Sequence, residues 1–181
     1  MSQATDTNPI SGENPVLNAL DERRSVPASQ LCEPGPDHDV LMRMLRSAVR
    51  VPDHGKRVPF RFVRIEGDAR EALGERMAAR SRERDPSASE AVIEKDRRRF
   101  LHAPVIVTVI AAQGEDAKIP ASERLLSAGS VCFALLQAAQ AFGFGAVWLT
   151  GWAAYDPEMR RVLGVGDDEA IVGFIHIGSI R

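Results

Sequence analysis

The stretch RVPDHGKR, residues 50–57, gathers Arg50, His54, Lys56 and Arg57 around a proline and a glycine. A second basic group, Arg23-Arg24-Ser25, lies nearer the N-terminus. The chain as a whole carries a formal net charge of −2, so these are local surpluses of positive charge. Guanidinium groups grip phosphate or carboxylate through paired hydrogen bonds. Imidazole and hydroxyl groups add donors to such a site. Each residue taken singly has a plainer account. Cations favour the C-terminal turn of a helix, which covers Arg23, Arg24 and Arg50. His54 alone suits a turn, Trp148 alone suits a core, and Lys56 and Arg57 suit an exposed turn. The chemistry therefore depends on what the fold brings together.

Other chemistries lack their residues. There is no G-x-S-x-G elbow, no P-loop and no H-E-x-x-H. The glycines of GFGAVWLTG, 143–151, follow a helical pattern instead of joining a strand to a helix, so they do not read as a dinucleotide fingerprint. Cys32 and Cys132 are far apart and have no C-x-x-C partner or histidine cluster. No side-chain nucleophile, no catalytic acid–base pair and no metal site is expected. The charge balance offers nothing to nucleic acid or to an anionic membrane surface. The cysteine usage fits a reducing, cytoplasmic setting.

The 181 residues suggest one domain over 15–181, preceded by a polar, disordered tail over 1–14 that lacks the pattern of a signal peptide. Pro15 opens a short helix to about Arg23, and SVPASQLCEPGP breaks it. Asp37 caps a helix with Val40, Leu41, Met44, Leu45, Ala48 and Val49 on one stripe, ended by Pro52. A strand follows at 59–66, a helix at 68–80, a polar loop at 81–89 and a charged helix at 90–101. In that last helix Glu90, Glu94 and Asp96 balance the run Arg97–Arg99, which reads as a solvated face. Residues 104–112, PVIVTVIAA, read as a central strand buried on both faces. A long helix runs from Ala121 to Phe142, apolar nearly all round, and is either central to the core or shared with a partner subunit. A strand at 146–150, a helix opened by Asp156-Pro157 and closed by Gly164, and a strand at 169–178 complete an α+β fold, a mixed β-sheet flanked by helices.

Five stretches, in this order, resemble the nitroreductase family of flavoproteins: RRS after a first short helix; R-x-P-D-H at a helix end, leading through P-F-R-F into a strand; SAG at 127–129; GFG-x-x-W-x-T-G at 143–151; and the closing IVGFIHIGS. The resemblance spans roughly residues 16–179. It is nearest to a small subgroup of NAD(P)H nitroreductases.

The resemblance implies a homodimer that holds FMN at the subunit interface and passes electrons from NADH or NADPH to nitroaromatics, quinones or similar small acceptors. Carried over by position, Arg23, Arg24 and Ser25 would contact FMN from one chain, and Arg50 and His54 from the other. Trp148, Leu149 and Thr150 would line it, and residues 138–143 correspond to a stretch assigned to the nicotinamide nucleotide. The alternatives are a dimer of the same fold that binds FMN without turnover, or one that modifies the flavin itself. The chain departs from the family pattern at Pro27, where a cation is common, at Arg57, Val58 and Phe60, and at Leu149, where the nearest relatives carry a cation beside the tryptophan. Similar proteins often have a C-terminal extension wrapped round the partner, so a chain ending at Arg181 is expected to dimerise more weakly. Residues 81–100 are the expected acceptor lid.

Overall fold

The computed structural model describes residues 14–181. Residues 1–13 of the expected tail lie outside the described residues, and Asn14 is instead the cap of the first helix. The helices are α1 Pro15–Asp21, α2 His38–Ala48, α3 Asp68–Arg84, α4 Glu90–Arg98, α5 Ala121–Ala141 and α6 Pro157–Val162. The strands are β1 Leu31–Cys32, β2 Phe60–Glu66, β3 Val105–Ala112, β4 Gly145–Leu149 and β5 Glu169–Ile180.

The caps follow local chemistry. Asp37 Oδ1 accepts from Val40 N at 2.8 Å, and Asp156 Oδ1 accepts from Met159 N at 3.1 Å. Each satisfies an amide that the helix itself leaves unpaired. Gly143 and Gly164 leave their helices with φ of 80° and 67°, a region that costs a β-carbon-bearing residue.

Strand β5 is the centre of the sheet. Its residues 174–177 pair with β3, and 174–178 pair with β4, so these two strands flank it on opposite edges. β2 pairs outside β3, and β1 pairs Leu31 with Ile180. Every pairing is antiparallel, so the sheet is not mixed as the sequence suggests. Helix α5 crosses from β3 to β4 over β5, which lies between them, so β3 and β4 run parallel to each other while each is antiparallel to β5.

The alternation of β3 divides the core. Val105, Val107, Val109 and Ala111 face α2 and α5, where Leu41, Met44, Val131, Cys132 and Leu135 are buried. Ile106 and Ile110 face the layer of α3 and α6, with Leu73, Met77, Phe100 and Met159. The expected strand buried on both faces is thus found. Two segments read as irregular carry regular structure. β1 forms inside the segment read as a break, because Leu31 is fully buried against the sheet. α3 continues to Arg84 through the stretch read as a loop, since Ser81 is buried and its Oγ donates to Asp96 Oδ2 at 2.9 Å. No helix among the described residues is long and apolar enough to cross a membrane.

A bidentate pair ties β2 to the start of β5: Arg61 Nε and Nη2 each donate to a Glu169 oxygen at 2.6 Å. The hydrogen bond from Arg61 pulls the Glu169 carboxyl down to about 2, against the upward effect of its burial. A depressed carboxyl contributes stability above its unfolded value and loses it as pH falls toward 2. Glu169→Gln should therefore lower stability at pH 7 by about 1 kcal/mol, the scale of a partly screened pair. In denaturant titrations the gap to the parent should close as pH falls from about 4.5 to 2.

Candidate functional site

One half of the site forms along the end of β4. Val26 N donates to Ala146 O at 3.0 Å, which lays the chain after Arg23–Ser25 against β4. Arg23 Nη1 lies 3.4 Å from Ser25 Oγ, and Arg24 is exposed. Trp148 is held edge-on to β5 by a donation from Nε1 to Val172 O at 3.1 Å. Val172 is the residue skipped in the β3–β5 register, so a bulge supplies this acceptor. Gly173 makes the approach possible, because a β-carbon there would overlap the indole of Trp148. Leu149 and Thr150 are half-buried beside it.

The other half lies in the loop between α2 and β2. Asp53 folds that loop: its carboxylate accepts from Arg57 N at 3.2 Å and from Val58 N at 2.7 Å. These bonds hold Val58 at φ 48°, an unfavourable conformation for a β-branched side chain. His54 Nδ1 lies 2.6 Å from Glu123 Oε2 in the first turn of α5, which leaves Nε2 as the ring nitrogen open to a ligand. Ser127 Oγ donates to Pro52 O at 2.8 Å. The SAG stretch therefore sits inside α5 and anchors this loop. Arg50 is exposed and has no carboxylate within ion-pair distance among the described residues. Arg57 is paired with Asp116 at 3.0 Å and Lys56 is an exposed turn residue, so both are structural.

An apolar groove of about 680 Å³ runs beside Trp148, lined by Leu125, Leu126, Gly129, Phe133 and Tyr155. It is open and flat-sided, and its lining can cover an aromatic ring system without supplying a charge. Within one chain no hydrogen bond or ion pair among the described residues joins Arg23–Ser25 to Arg50 or His54. The structure thus leads the segment that follows Arg23–Ser25 against β4, the strand that carries Trp148 and Leu149, and sets Arg50 and His54 on the loop beside α5. In the stretch 138–143, Ala138 and Ala139 are buried in the core and present no surface to a nucleotide; Ala141, Phe142 and Gly143 are exposed.

The sequence missed three things. Asp53 and Gly173 shape the site without chemistry of their own. The third is on α4. The run Arg97–Arg99 is a solvated face at Arg98 alone: Arg97 is paired with Glu75, and Arg99 is folded against Gly151, where a β-carbon would fall 2.7 Å from its Nη1. Asp96 beneath it is buried and accepts from Trp152 Nε1 at 3.1 Å, so the expected lid is pinned at that point. Nearby His176 is buried and stacked on Phe100 at 6.0 Å between centroids. Burial, then the charges of His102 and Arg99, push its imidazole down to about 4, so it is neutral at physiological pH. Burial also pushes the Cys132 thiol up to about 12, which makes it inert packing.

Gly173→Ala should expel the indole while leaving the sheet paired. The expected result is a red-shifted Trp emission, with far-ultraviolet circular dichroism unchanged. An unshifted emission would mean that the indole finds its place without the bulge.

The model of the nitroreductase family matches residues 20–179. "Putative NAD(P)H nitroreductase YdjA" of Escherichia coli (strain K12) is 37% identical over 167 residues, spanning 91% of this chain and 87% of that protein. "Putative NAD(P)H nitroreductase" of Haemophilus influenzae is 31% identical over 165 residues, spanning 91% of this chain and 88% of that protein. Among solved structures, a nitroreductase-like family protein from Bacillus cereus superposes with a TM-score of 0.77 at 24% identity, covering 94% of this chain and 88% of that one. One from Desulfovibrio desulfuricans, described as a nitroreductase in complex with FMN, gives 0.72 at 23% identity, covering 93% and 88%. At those identities the solved structures speak for the fold.

Proposed function

The chain belongs to the nitroreductase family, and from that premise we propose that it is an FMN-dependent NAD(P)H oxidoreductase acting as a homodimer, with FMN held where two chains meet. The observation that carries this reading is the division of the site. The segment that follows Arg23–Ser25 runs against β4, which carries Trp148 and Leu149, while Arg50 and His54 belong to a separate loop beside α5. A two-fold axis repeats both halves and can set one half against the other across an isologous interface.

The residues present fit the group. Arg24 and Arg50 are exposed cations without carboxylate partners among the described residues, as a dianionic phosphate requires. Trp148 and the apolar groove suit a flat ring. Leu126, Tyr155 and Phe133, with exposures of 71%, 70% and 43%, form an apolar face that a second copy would cover. FMN, when bound, supplies the two-electron chemistry that accepts hydride and passes it on. The chain's own part is to fix the ring, neutralise the phosphate and exclude water above it. NADH and NADPH are the proposed donors. The acceptors, nitroaromatic, quinone or a related small molecule, belong to the same proposal, as does a cytoplasmic setting.

The purified protein should show the two visible bands of oxidised flavin at about one FMN per chain, and anaerobic NADH or NADPH should bleach them. A protein that stays colourless when FMN is added contradicts the reading. Intact FMN recovered after aerobic turnover sets aside the flavin-modifying alternative, and sustained reduction of a nitroaromatic sets aside the non-catalytic one.

The shared site predicts complementation. Arg24→Ala and Arg50→Ala should each lose flavin as pure dimers. Co-refolded as an equal mixture, they should regain about a quarter of the parent flavin, because half the dimers are mixed and each of those has one intact site. No recovery would place both arginines in the site of a single chain.

A further inference from the structure

A second cavity, about 230 Å³, opens beside the proposed flavin strip and is lined by Ala28, Ser29, Lys95, Arg99, His102 and Leu149. No carboxylate is among its lining residues. Lys95, Arg99 and His102 recur at i, i+4 and i+7, so the end of α4 and the turn after it present one basic stripe. Ala28 and Ser29 continue the segment that carries Arg23–Ser25, and Leu149 belongs to the strip on β4. The cavity therefore touches both parts of the first half-site.

Arg99 is ion-paired with Asp96 and keeps one donor free. Its Nη2 reaches Asp96 Oδ1 at 3.3 Å, a long contact, and its buried Nε has no partner among the described residues. The other Asp96 oxygen is already taken by Ser81 Oγ at 2.9 Å and Trp152 Nε1 at 3.1 Å. Gly151, at φ 76°, lets the guanidinium lie against the backbone directly after Thr150. Lys95 is exposed and has no ion pair among the described residues. The charges of Arg98 and Arg181 reach His102, whose imidazole is already pushed down by burial. A cavity with two cations, an unpaired donor and no acid of its own is a place for an anion.

We propose that Lys95 and Arg99 form a phosphate-binding subsite contiguous with the flavin strip, in which Arg99 supplies from the turn after α4 the cation that position 149 lacks. Relatives with a cation beside the tryptophan would place it on β4; here Leu149 lines the cavity and the guanidinium enters from the opposite wall. This inference rests on the proposed function for the identity of the neighbouring ligand. The phosphoryl group is that of FMN or that of the nicotinamide nucleotide.

The test is a fluorescence titration of the apoprotein with FMN and with riboflavin. The parent, Lys95→Ala, Arg99→Ala and Arg99→Ala combined with Leu149→Arg are compared. Loss of a charge-assisted hydrogen bond should raise the FMN Kd of Arg99→Ala by about 10–100-fold while the riboflavin Kd stays put, and Leu149→Arg should recover most of it. A KM for NADPH that rises in the variants, with NADH and both flavins unaffected, supports the subsite and assigns it to the donor's extra phosphate. Unchanged FMN-to-riboflavin and NADPH-to-NADH ratios in both single variants overturn it. Lys95→Ala removes an exposed side chain without partners, so it keeps the test valid if Arg99→Ala misfolds. If the parent binds no flavin, the proposed function fails and the subsite is read with inorganic phosphate, against chloride at matched ionic strength. A thermal shift in the parent that is absent from Lys95→Ala supports it, and equal shifts overturn it.

Discussion

Strand β5 is hydrogen-bonded along both edges, and the position of the site is referred to it. Residues 174–177 are shared between β3 and β4, so neither neighbour can slip without breaking the ladder on its side. The C-terminal end of β4, with Trp148, Leu149 and Thr150, is fixed by that register. The bulge at Val172 gives the indole an acceptor, and Gly173 gives it room. β1 pairs with the last residues of β5 and so fixes the segment that follows Arg23–Ser25. Arg61 and Glu169 hold the other end of the strand.

The distribution of charge sorts the arginines by role. Arg57, Arg61, Arg80 and Arg97 are bound to Asp116, Glu169, Asp156 and Glu75 across the fold, and they act as ties between elements. Arg24, Arg50 and Lys95 have no such partner among the described residues, and Arg99 has only a long one. Positive charge at the two half-sites and in the cavity is thereby available to an anion. The basic loop at 50–57 shows both roles within eight residues: Arg57 ties, Lys56 is solvated, His54 is oriented by Glu123, and Arg50 is left open.

Helix α5 works on two sides. Its inner residues Ala128, Val131, Cys132 and Leu135 are fully buried, whereas Leu125, Leu126 and Phe133 remain exposed along the groove. A helix apolar nearly all round in an aqueous protein implies two buried faces, and only one of them is buried within a single chain.

Much of this was legible in the residues. The stripe of α2, the continuous apolar run of β3, the caps at Asp37 and Asp156 and the stops at Gly143 and Gly164 are short-range patterns, set by helical period, pleat and local hydrogen bonding. They need no knowledge of the rest of the chain. The motifs around Arg23, Arg50 and Trp148 were likewise readable as types in order. What the sequence could not give is which of them meet. Arg97–Arg99 read as solvated because the acids around them balance in one dimension, yet docking of α4 buries Asp96 and turns Arg99 toward Gly151 and Leu149. The antiparallel pairing, the short strand β1 and the continuation of α3 through Ser81 are decided in the same way, by partners far along the chain. Local propensity depends on neighbours a few residues away, and it was fixed by the sequence itself. The cavity between α4 and β4 depends on long-range sheet register and helix docking, and only the tertiary structure decided it.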